Sequence, residues 1–482
     1  MTGITAFGAY VPKLRLSRKA AVEANGWFNP SLKGLAKGER SICYWDEDAL
    51  TMAVEAARDC LADRDRATIG RVTLASTTLP FKDRQNAVIL AEALNLDDNI
   101  ASLDIASSLR CGTSALLTAF DTVKANDGGH VLVASGEHRS AKAASPQEMQ
   151  YGDAAAALLV GAQDVIAELV GHHQVAVDFV DHYRGETERF DYYWEERWAR
   201  DEGLLKIVPA AIQELLAKTG TAADQIAHFI APVAAASAGK ICKMTGIPDS
   251  ALADNLAAVM GESGAAHPLV MLANCLHNAG PGETILVIGY GQGCDAVLLR
   301  TTDLIARAAK PTGVPGALAR RREETNYNRY LAFNDLIIQE KGIRSELDKQ
   351  TAVSALYRNR DMVLGLIGGR CEACGTVQFP RTKACVNPNC GKFHTQEPYP
   401  LSDVSAHVQS WTADNLTYSP DPPHHFGMIV FDDGGRLMMD LTDVEAGTVD
   451  VNMSVRMMFR VKDYDERRGF RRYFWKAAPA LT

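Results

Sequence analysis

The stretch that decides the fold is Leu103-Asp104-Ile105-Ala106-Ser107-Ser108-Leu109-Arg110-Cys111-Gly112-Thr113-Ser114-Ala115-Leu116. An apolar run gives way through two serines to a helix start built from small residues. Helical apolar spacing then continues over Gly112–Lys124. A second start of the same kind stands at Gly261-Glu262-Ser263-Gly264-Ala265-Ala266, followed by the helical pattern Pro268–His277. Working outward, each start has matching surroundings. A helix (Asp46–Leu61; Leu205–Lys218) leads through a polar loop to a strand (Arg71–Ser76; Ala227–Ala231). Each half then closes on a strand and an Asp-Ala step: His130–Ser135 before Gly152-Asp153-Ala154, and Thr284–Ile288 before Cys294-Asp295-Ala296. The runs at Ala154–Val160 and Ile226–Ala231 are nearly continuous in apolar character, as strands covered by helices on both faces are. The alternation is an α/β signature. Duplication would bring the two helix N-termini together across a pseudo-twofold axis, a natural place for a site. Chance similarity of two α/β segments is the alternative.

The 482 residues suffice for two or three domains. The chain is 47% hydrophobic and 23% charged, which excludes a disordered or collagen-like protein. A net charge of −9 without a long basic run argues against nucleic acid as a partner. No run approaches the ~18–20 apolar residues of a membrane span, and Met1–Thr5 lacks a signal-peptide pattern. A cytoplasmic protein with no membrane partner is expected.

Beyond residue 300 the character changes. Ile305–Tyr357 is charged and helical in pattern. Cys371-x2-Cys374 and Cys385-x4-Cys390 follow, two close thiol pairs that can close a tetrahedron around a structural Zn²⁺. Gly375, Pro380 and Gly391 supply ribbon turns, and His394 reads as a bystander. Tyr399–Trp475 alternates β-branched and polar residues between turn signals, as a small antiparallel β domain does. His424-His425 after Pro422-Pro423 reads as a loop.

Residues 1–300 resemble the thiolase superfamily, most nearly hydroxymethylglutaryl-CoA synthase and ketoacyl synthase III. The matching pieces are Leu103-Asp104 through Leu116, Tyr151-Gly152-Asp153-Ala154-Ala155-Ala156-Ala157, Thr245-Gly246-Ile247-Pro248 and Gly289-Tyr290-Gly291-Gln292-Gly293. The tail from about 366 is similar to the zinc-ribbon and OB-fold module that accompanies such enzymes. The resemblance implies a duplicated thiolase-like fold, layered α-β-α-β-α, with a C-terminal zinc ribbon and a small antiparallel OB-like barrel. The expected divisions are halves at 1–165 and 166–300, a helical linker at 301–365, the ribbon at 366–395 and the β domain at 396–482. In these synthases a cysteine, a histidine and a glutamate carry the chemistry. An ungapped match places Leu109 at the cysteine, Ile230 at the histidine and Thr77 at the glutamate, with Glu262 at the family asparagine.

An unmodified synthase mechanism therefore does not transfer, and other residues become candidates. Cys111 stands at a helix N-terminus, where amides and the helix dipole lower a thiol pKa, and Arg110 would assist. As thiolate it would accept an acyl group; as a small core residue it would fill a turn. Glu262 and His267 open the second helix and would serve as acid or base, the alternatives being a helix-end charge and a polar core histidine. Tyr290, Gly291 and Gln292, with Arg110, are expected to bind substrate, the glycine loop offering amides to a carbonyl oxygen. Arg189-Phe190-Asp191-Tyr192-Tyr193-Trp194-Glu195-Glu196-Arg197-Trp198 reads first as an interface or packed cap, and second as the wall of a pocket for an aromatic acyl group. The expected activity is that of an acyl-CoA-dependent acyltransferase making or breaking a carbon–carbon bond beside a thioester carbonyl, on a β-keto or 3-hydroxy acyl substrate with CoA or acetyl-CoA. A non-covalent retro-aldolase on a 3-hydroxyacyl-CoA and a non-catalytic acyl-CoA-binding scaffold are the alternatives. By analogy with thiolase-like halves, a homodimer or higher homo-oligomer is expected.

Overall fold

The computed structural model describes residues 1–125, 129–340 and 351–480. The chain divides into two units. Unit one takes Met1–Cys43, Asp48–Val88 and Asp97–Tyr330; unit two takes Tyr44–Glu47, Ile89–Leu96 and Leu331–Thr482.

Unit one is organised by a nine-stranded sheet. Its strands are Gly3–Tyr10 (β1), Ile69–Ala75 (β2), Ala101–Ile105 (β3), His130–Glu137 (β4), Ala154–Gly161 (β5), Ala167–Ala176 (β6), His228–Ile230 (β7), Thr284–Tyr290 (β8) and Gly293–Thr301 (β9). Their order is β7-β8-β9-β6-β1-β5-β4-β2-β3. Read outward from the centre, the same path occurs twice. β1 to β5 and β5 to β4 are antiparallel and β4 to β2 is parallel; β6 to β9 and β9 to β8 are antiparallel and β8 to β7 is parallel. The halves join through Gly3↔Glu168 and Ile4↔Ala167. The second-half counterpart of β3 shrinks to one parallel bridge, Phe229↔Leu252. The duplication expected from the sequence is present in the sheet order.

Small residues let the layers approach. β5, Ala-Ala-Ala-Ala-Leu-Leu-Val-Gly, is buried along its whole length. A Cβ at Gly8 of β1 would stand 2.3 Å from the Cys60 amide nitrogen of the helix Ala49–Leu61 (α1), so glycine sets that contact. The helices Cys111–Ala125 (α2) and His267–Asn278 (α4) share one core: Ala115, Leu116, Phe120, Leu269, Val270 and Leu272 pack with Val133, Leu158 and Val287. The helix Leu205–Thr219 (α3) covers a second core through Val208, Ile212 and Leu215, against Phe229, Leu286 and Leu298.

The expected linker 301–365 divides. Gly313–Ala319 is a helix, and the strand Arg322–Glu324 pairs in parallel with Leu14–Ser17, all within unit one. Unit two begins again at Leu331, and residues 341–350 of that stretch lie outside the described residues. In unit two, Val377–Gln378, Ile367–Cys371 and Gln396–Pro400 form a three-stranded antiparallel sheet. A five-stranded antiparallel sheet follows, in the order Arg436–Asp440, His424–Phe431, Ala406–Asp414, Ser454–Asp465, Phe470–Pro479. His424 and His425, expected in a loop, instead open a strand, with His425 buried. Phe459 stacks on Tyr473 at 5.4 Å and meets Trp475 edge-on in the core of this sheet. Among the described residues no helix is long and apolar enough to cross a membrane.

Candidate functional site

The two helix starts singled out from the sequence meet in unit one. A Cβ on Gly112 would stand 2.3 Å from the Ala265 carbonyl oxygen, so the first turn of α2 touches the turn that leads into α4. That turn is held to the segment before β5: Tyr151 and Glu262 form a bridge, and the Gly152 amide donates to the Glu262 carbonyl at 2.9 Å.

On the α2 side the organiser is Asp295, fully buried on β9. It accepts from Arg110 Nη1 (2.8 Å), Thr113 Oγ1 (2.9 Å), Ser114 Oγ (2.6 Å) and Gln174 Nε2 (2.9 Å). Arg110 is thus bound to Asp295, and its Nε donates to the Gly291 carbonyl at 3.0 Å. Ser108 Oγ donates to the same carbonyl at 2.9 Å, while the Gly291 amide is taken by Gly293 O at 3.1 Å. The glycine loop was expected to offer amides; at Gly291 it offers a carbonyl and so clamps the N-terminal turn of α2. Gln292 stands in the left-handed region (φ 46°), and Tyr290 is half-buried beside Gly203.

Cys111 is buried. Burial first, and the charge of Glu137 second, push its thiol well above the ordinary range, outweighing the amides of Cys111 and Gly112 that favour the thiolate. The expected lowering of this pKa is therefore reversed. Amides do face the sulfur, but the thiolate would be desolvated beside a carboxylate.

Glu137, at the end of β4, stands outside every motif in the sequence. It is fully buried and accepts from Thr77 Oγ1 (2.9 Å), Thr78 Oγ1 (2.5 Å), the Thr77 amide (3.1 Å) and the Ala265 amide (3.3 Å). Thr77, which matches the family glutamate, thus carries a carboxylate beside it, donated by another strand. Ile230, at the family histidine, is a buried core residue of β7.

Two residues past Glu137, buried Arg139 pairs with half-buried Glu262, whose other oxygen accepts from the Gly264 amide at 2.6 Å. Burial alone would raise the Glu262 carboxyl, but the Arg139 guanidinium holds it below the usual range. Arg139 also lies 3.8 Å over the Tyr151 ring. Tyr151 Oη is 2.8 Å from Asp191 Oδ2 and 2.6 Å from Tyr193 Oη. Because each phenol has one proton and the carboxylate only accepts, Tyr193 donates to Tyr151 and Tyr151 to Asp191. Burial keeps both phenols protonated far above neutral pH. Arg184 closes the array on Asp191 at 2.7 Å. His267 takes a different role: buried Nε2 donates to the Asn255 carbonyl at 2.9 Å, and Nδ1 accepts from the Ser263 amide at 3.2 Å. Burial lowers its pKa, and the neutral ring fastens the start of α4.

The aromatic run also reaches this array. Tyr192–Tyr193 pairs with His182–Tyr183 as a short hairpin, and the His182 ring stacks on Tyr193 at 5.2 Å. Val180, Asp181, His182, Tyr183, Tyr192, Trp194 and Trp198 line a cavity of about 720 Å³.

In unit two, Cys371, Cys374, Cys385 and Cys390 present their sulfurs within 4.8 Å of one another. Cys371 and Cys390 are 3.9 Å apart, Cys374 and Cys385 3.6 Å. The second cysteine of each pair is followed by a left-handed glycine, Gly375 (φ 75°) and Gly391 (φ 56°), whose amides close the turns on the Cys371 and Asn387 carbonyls at 2.7 and 3.0 Å. Four thiols and no open position suit structural Zn²⁺, and the wider x4 gap of the second pair closes as well as the first.

Fold and site together define a thiolase-type α/β region followed by a zinc ribbon and an OB-fold domain. Residues 364–394 match the family model of the ChsH2 rubredoxin-like zinc ribbon domain, and residues 399–460 that of the ChsH2 C-terminal OB-fold domain. The N-terminal region is similar in fold to hydroxymethylglutaryl-CoA synthase and 3-oxoacyl-[acyl-carrier-protein] synthase III. The chain is 26% identical over 345 residues to the hydroxymethylglutaryl-CoA synthase of Caldivirga maquilingensis, covering 70% of this chain and 98% of that one. To the synthase of Aeropyrum pernix it is 28% identical over 352 residues, covering 70% and 96%. A crystal structure of hydroxymethylglutaryl-CoA synthase complexed with CoA has the same fold, with a TM-score of 0.63, 20% identity, and 73% and 95% of the two chains covered. So has 3-oxoacyl-[acyl-carrier-protein] synthase III from Aquifex aeolicus VF5, with a TM-score of 0.55, 19% identity, and 62% and 100% covered.

Proposed function

We propose that unit one is a thiolase-type, CoA-dependent enzyme that makes or breaks a carbon–carbon bond next to a thioester carbonyl. The observation that carries this is the meeting of the two duplicated helix starts at Gly112 and Ala265, with Glu137, Arg139 and Glu262 gathered around them. Similarity to synthases named for a CoA ester over 70% of the chain supports the substrate class. The aromatic cavity of about 720 Å³ lies within the ~300–1,000 Å³ range of small-molecule pockets, and supports a bulky, apolar or aromatic acyl group. In the covalent form of this reading, Cys111 loses its proton to a base, attacks the thioester carbonyl and releases CoA thiol; Glu262 then handles a proton α to the carbonyl. A homodimer in the cytoplasm is part of the same proposal.

The buried, raised thiol favours a second reading, the non-covalent retro-aldolase. A base takes the 3-hydroxyl proton of a 3-hydroxyacyl-CoA and the C2–C3 bond breaks. An aldehyde or ketone leaves, and the acyl-CoA enolate is protonated at C2. The Arg139–Glu262 pair and the Tyr193–Tyr151–Asp191 chain are the groups at hand for those proton movements. Intact-protein mass spectrometry with a panel of acyl-CoAs, on wild type and Cys111→Ala, separates the two. An acyl-sized gain lost in the variant establishes the covalent route. Cleavage of 3-hydroxyacyl-CoA without a protein adduct, retained in Cys111→Ala, establishes the retro-aldol route. CoA-ester binding without turnover of any substrate would overturn both and leave a scaffold.

A further inference from the structure

Three residues with no part in the reactions above meet on the other face of the same strand ends. The antiparallel register of β4 and β5 pairs Glu137 with Ala154, so the next residues along, His138 and Asp153, stand opposite each other. Cys43 follows the strand Glu39–Ile42, which is tied to Asp153 because Ser41 Oγ donates to the Asp153 carbonyl at 2.6 Å. One ligand atom from each of Cys43, His138 and Asp153 lies within 4.8 Å of the other two. His138 Nδ1 is 3.1 Å from Asp153 Oδ2, which also accepts from the Cys43 amide at 2.7 Å. Cys43 and Asp153 are buried, and the His138 side chain is about one-fifth exposed.

A second observation points to a ligand. Asp153 is 1% exposed, and its Oδ1 has no hydrogen-bond partner among the described residues. An orphaned buried carboxylate oxygen is destabilising unless something pairs with it. The nearby Arg40 directs Nη1 to the Glu148 carbonyl and stacks its guanidinium on Tyr330.

We propose that Cys43, His138 and Asp153 form a second metal site, in unit one, for a zinc-class divalent cation with one coordination position left to water. The donor set carries the choice of metal. Thiolate and imidazole select zinc over magnesium or calcium, and a single carboxylate completes three protein ligands. Tetrahedral zinc holds S, N and O at about 2.0–2.3 Å, which puts ligand atoms roughly 3.3–3.8 Å apart, so the trio needs only a small contraction. Binding displaces the Cys43 proton to solvent and gives Asp153 a cation to neutralise. Three protein ligands are the pattern of zinc sites that keep an exchangeable water, and the partly exposed His138 is where that water enters. The site also adjoins the candidate active site, because the His138 amide donates to Thr78 Oγ1, which itself donates to Glu137.

The competing arrangement is metal-free: a His138–Asp153 ion pair with the Cys43 thiol against Met52 Sδ at 3.7 Å. Zinc per chain, measured by elemental analysis on the purified full-length protein after zinc loading, distinguishes them. Two zinc ions per chain are expected in wild type. One is expected in Cys43→Ser and in His138→Gln, and one in the ribbon variant Cys374→Ser. Cobalt in the ribbon variant should give a thiolate charge-transfer band that weakens when Cys43→Ser is added, and an unchanged band overturns the proposal. Circular dichroism on each variant confirms that it is folded. One zinc per chain in the wild type, or a second zinc that survives both Cys43→Ser and His138→Gln, overturns the proposal. This inference does not depend on the reaction assigned to unit one.

Discussion

Asp295 is the residue on which the α2 end of the candidate site depends. It has no exposure, and four side chains from α2, its preceding loop and β6 converge on it. Removing a buried partner leaves the donors desolvated and unmatched, which costs about 3–5 kcal/mol for a fully buried ion pair. Arg110 retains some exposure, so the lower end applies. Asp295→Ala is expected to lower stability by about 3 kcal/mol, read as a shifted urea midpoint at unchanged slope. A loss below about 1 kcal/mol would show that water replaces the carboxylate and that Asp295 does not organise the loop. Asp295 was legible as half of a repeated Asp-Ala step, though its partners were not. Glu137 was not legible at all, because its burial depends on hydroxyls at Thr77 and Thr78 that only the sheet brings near.

At the scale of elements, apolar runs located the strands and helices well, and their ends less well. β4 was expected to stop at Ser135, where the apolar run stops, yet it continues to Glu137 because that carboxylate finds donors inside the fold. α1 was expected from Asp46 and begins at Ala49. Asp48 is its N-cap: Oδ1 accepts from the Thr51 amide at 2.9 Å, and the Asp48 amide donates to Thr51 Oγ1 at 2.8 Å. That reciprocal box satisfies donors which the first turn cannot pair internally. Asp48→Ala should therefore destabilise by ~1 kcal/mol, and Asp48→Asn by less, since Asn caps as well. Thermal melts of the three proteins test the order; equal melting temperatures would show that the cap is not limiting. The helix starts themselves were readable because glycine and alanine at Gly112 and Ala265 are there for contact, and contact is what duplication required.

At the scale of the whole chain, sequence position and unit membership part company. The ribbon at 366–395 and the β domain at 396–482 are expected as consecutive C-terminal divisions, but Tyr44–Glu47 and Ile89–Leu96 belong to the same unit as both. For Tyr44–Glu47 the tie is charge. Lys476, 1% exposed, donates to Asp46 Oδ2 at 2.8 Å, and Thr442 Oγ1 adds a bond to the same oxygen at 3.0 Å. Buried Arg460 stands 3.0 Å from Glu47, 3.2 Å from Asp443 and 3.5 Å from Asp46. Periodicity could not reveal this, since Asp46 and Glu47 look like the acidic first turn of a helix. A fragment starting at Leu331 would keep the zinc ribbon and every strand of the five-stranded sheet but would strip Lys476 and Arg460 of Asp46 and Glu47. Breaking one such buried pair costs about 3–5 kcal/mol, against ~5–15 kcal/mol of total stability for a typical domain. The fragment is expected to bind zinc yet lack a cooperative thermal transition. Lys476→Met in the fragment removes the buried charge that has lost its partner and should restore part of that transition. In the full-length protein the same substitution leaves Asp46 without its closest cation and should lower the melting temperature. Opposite signs in the two backgrounds are the signature of the pairing; the same sign in both would mean that Lys476 acts through packing alone.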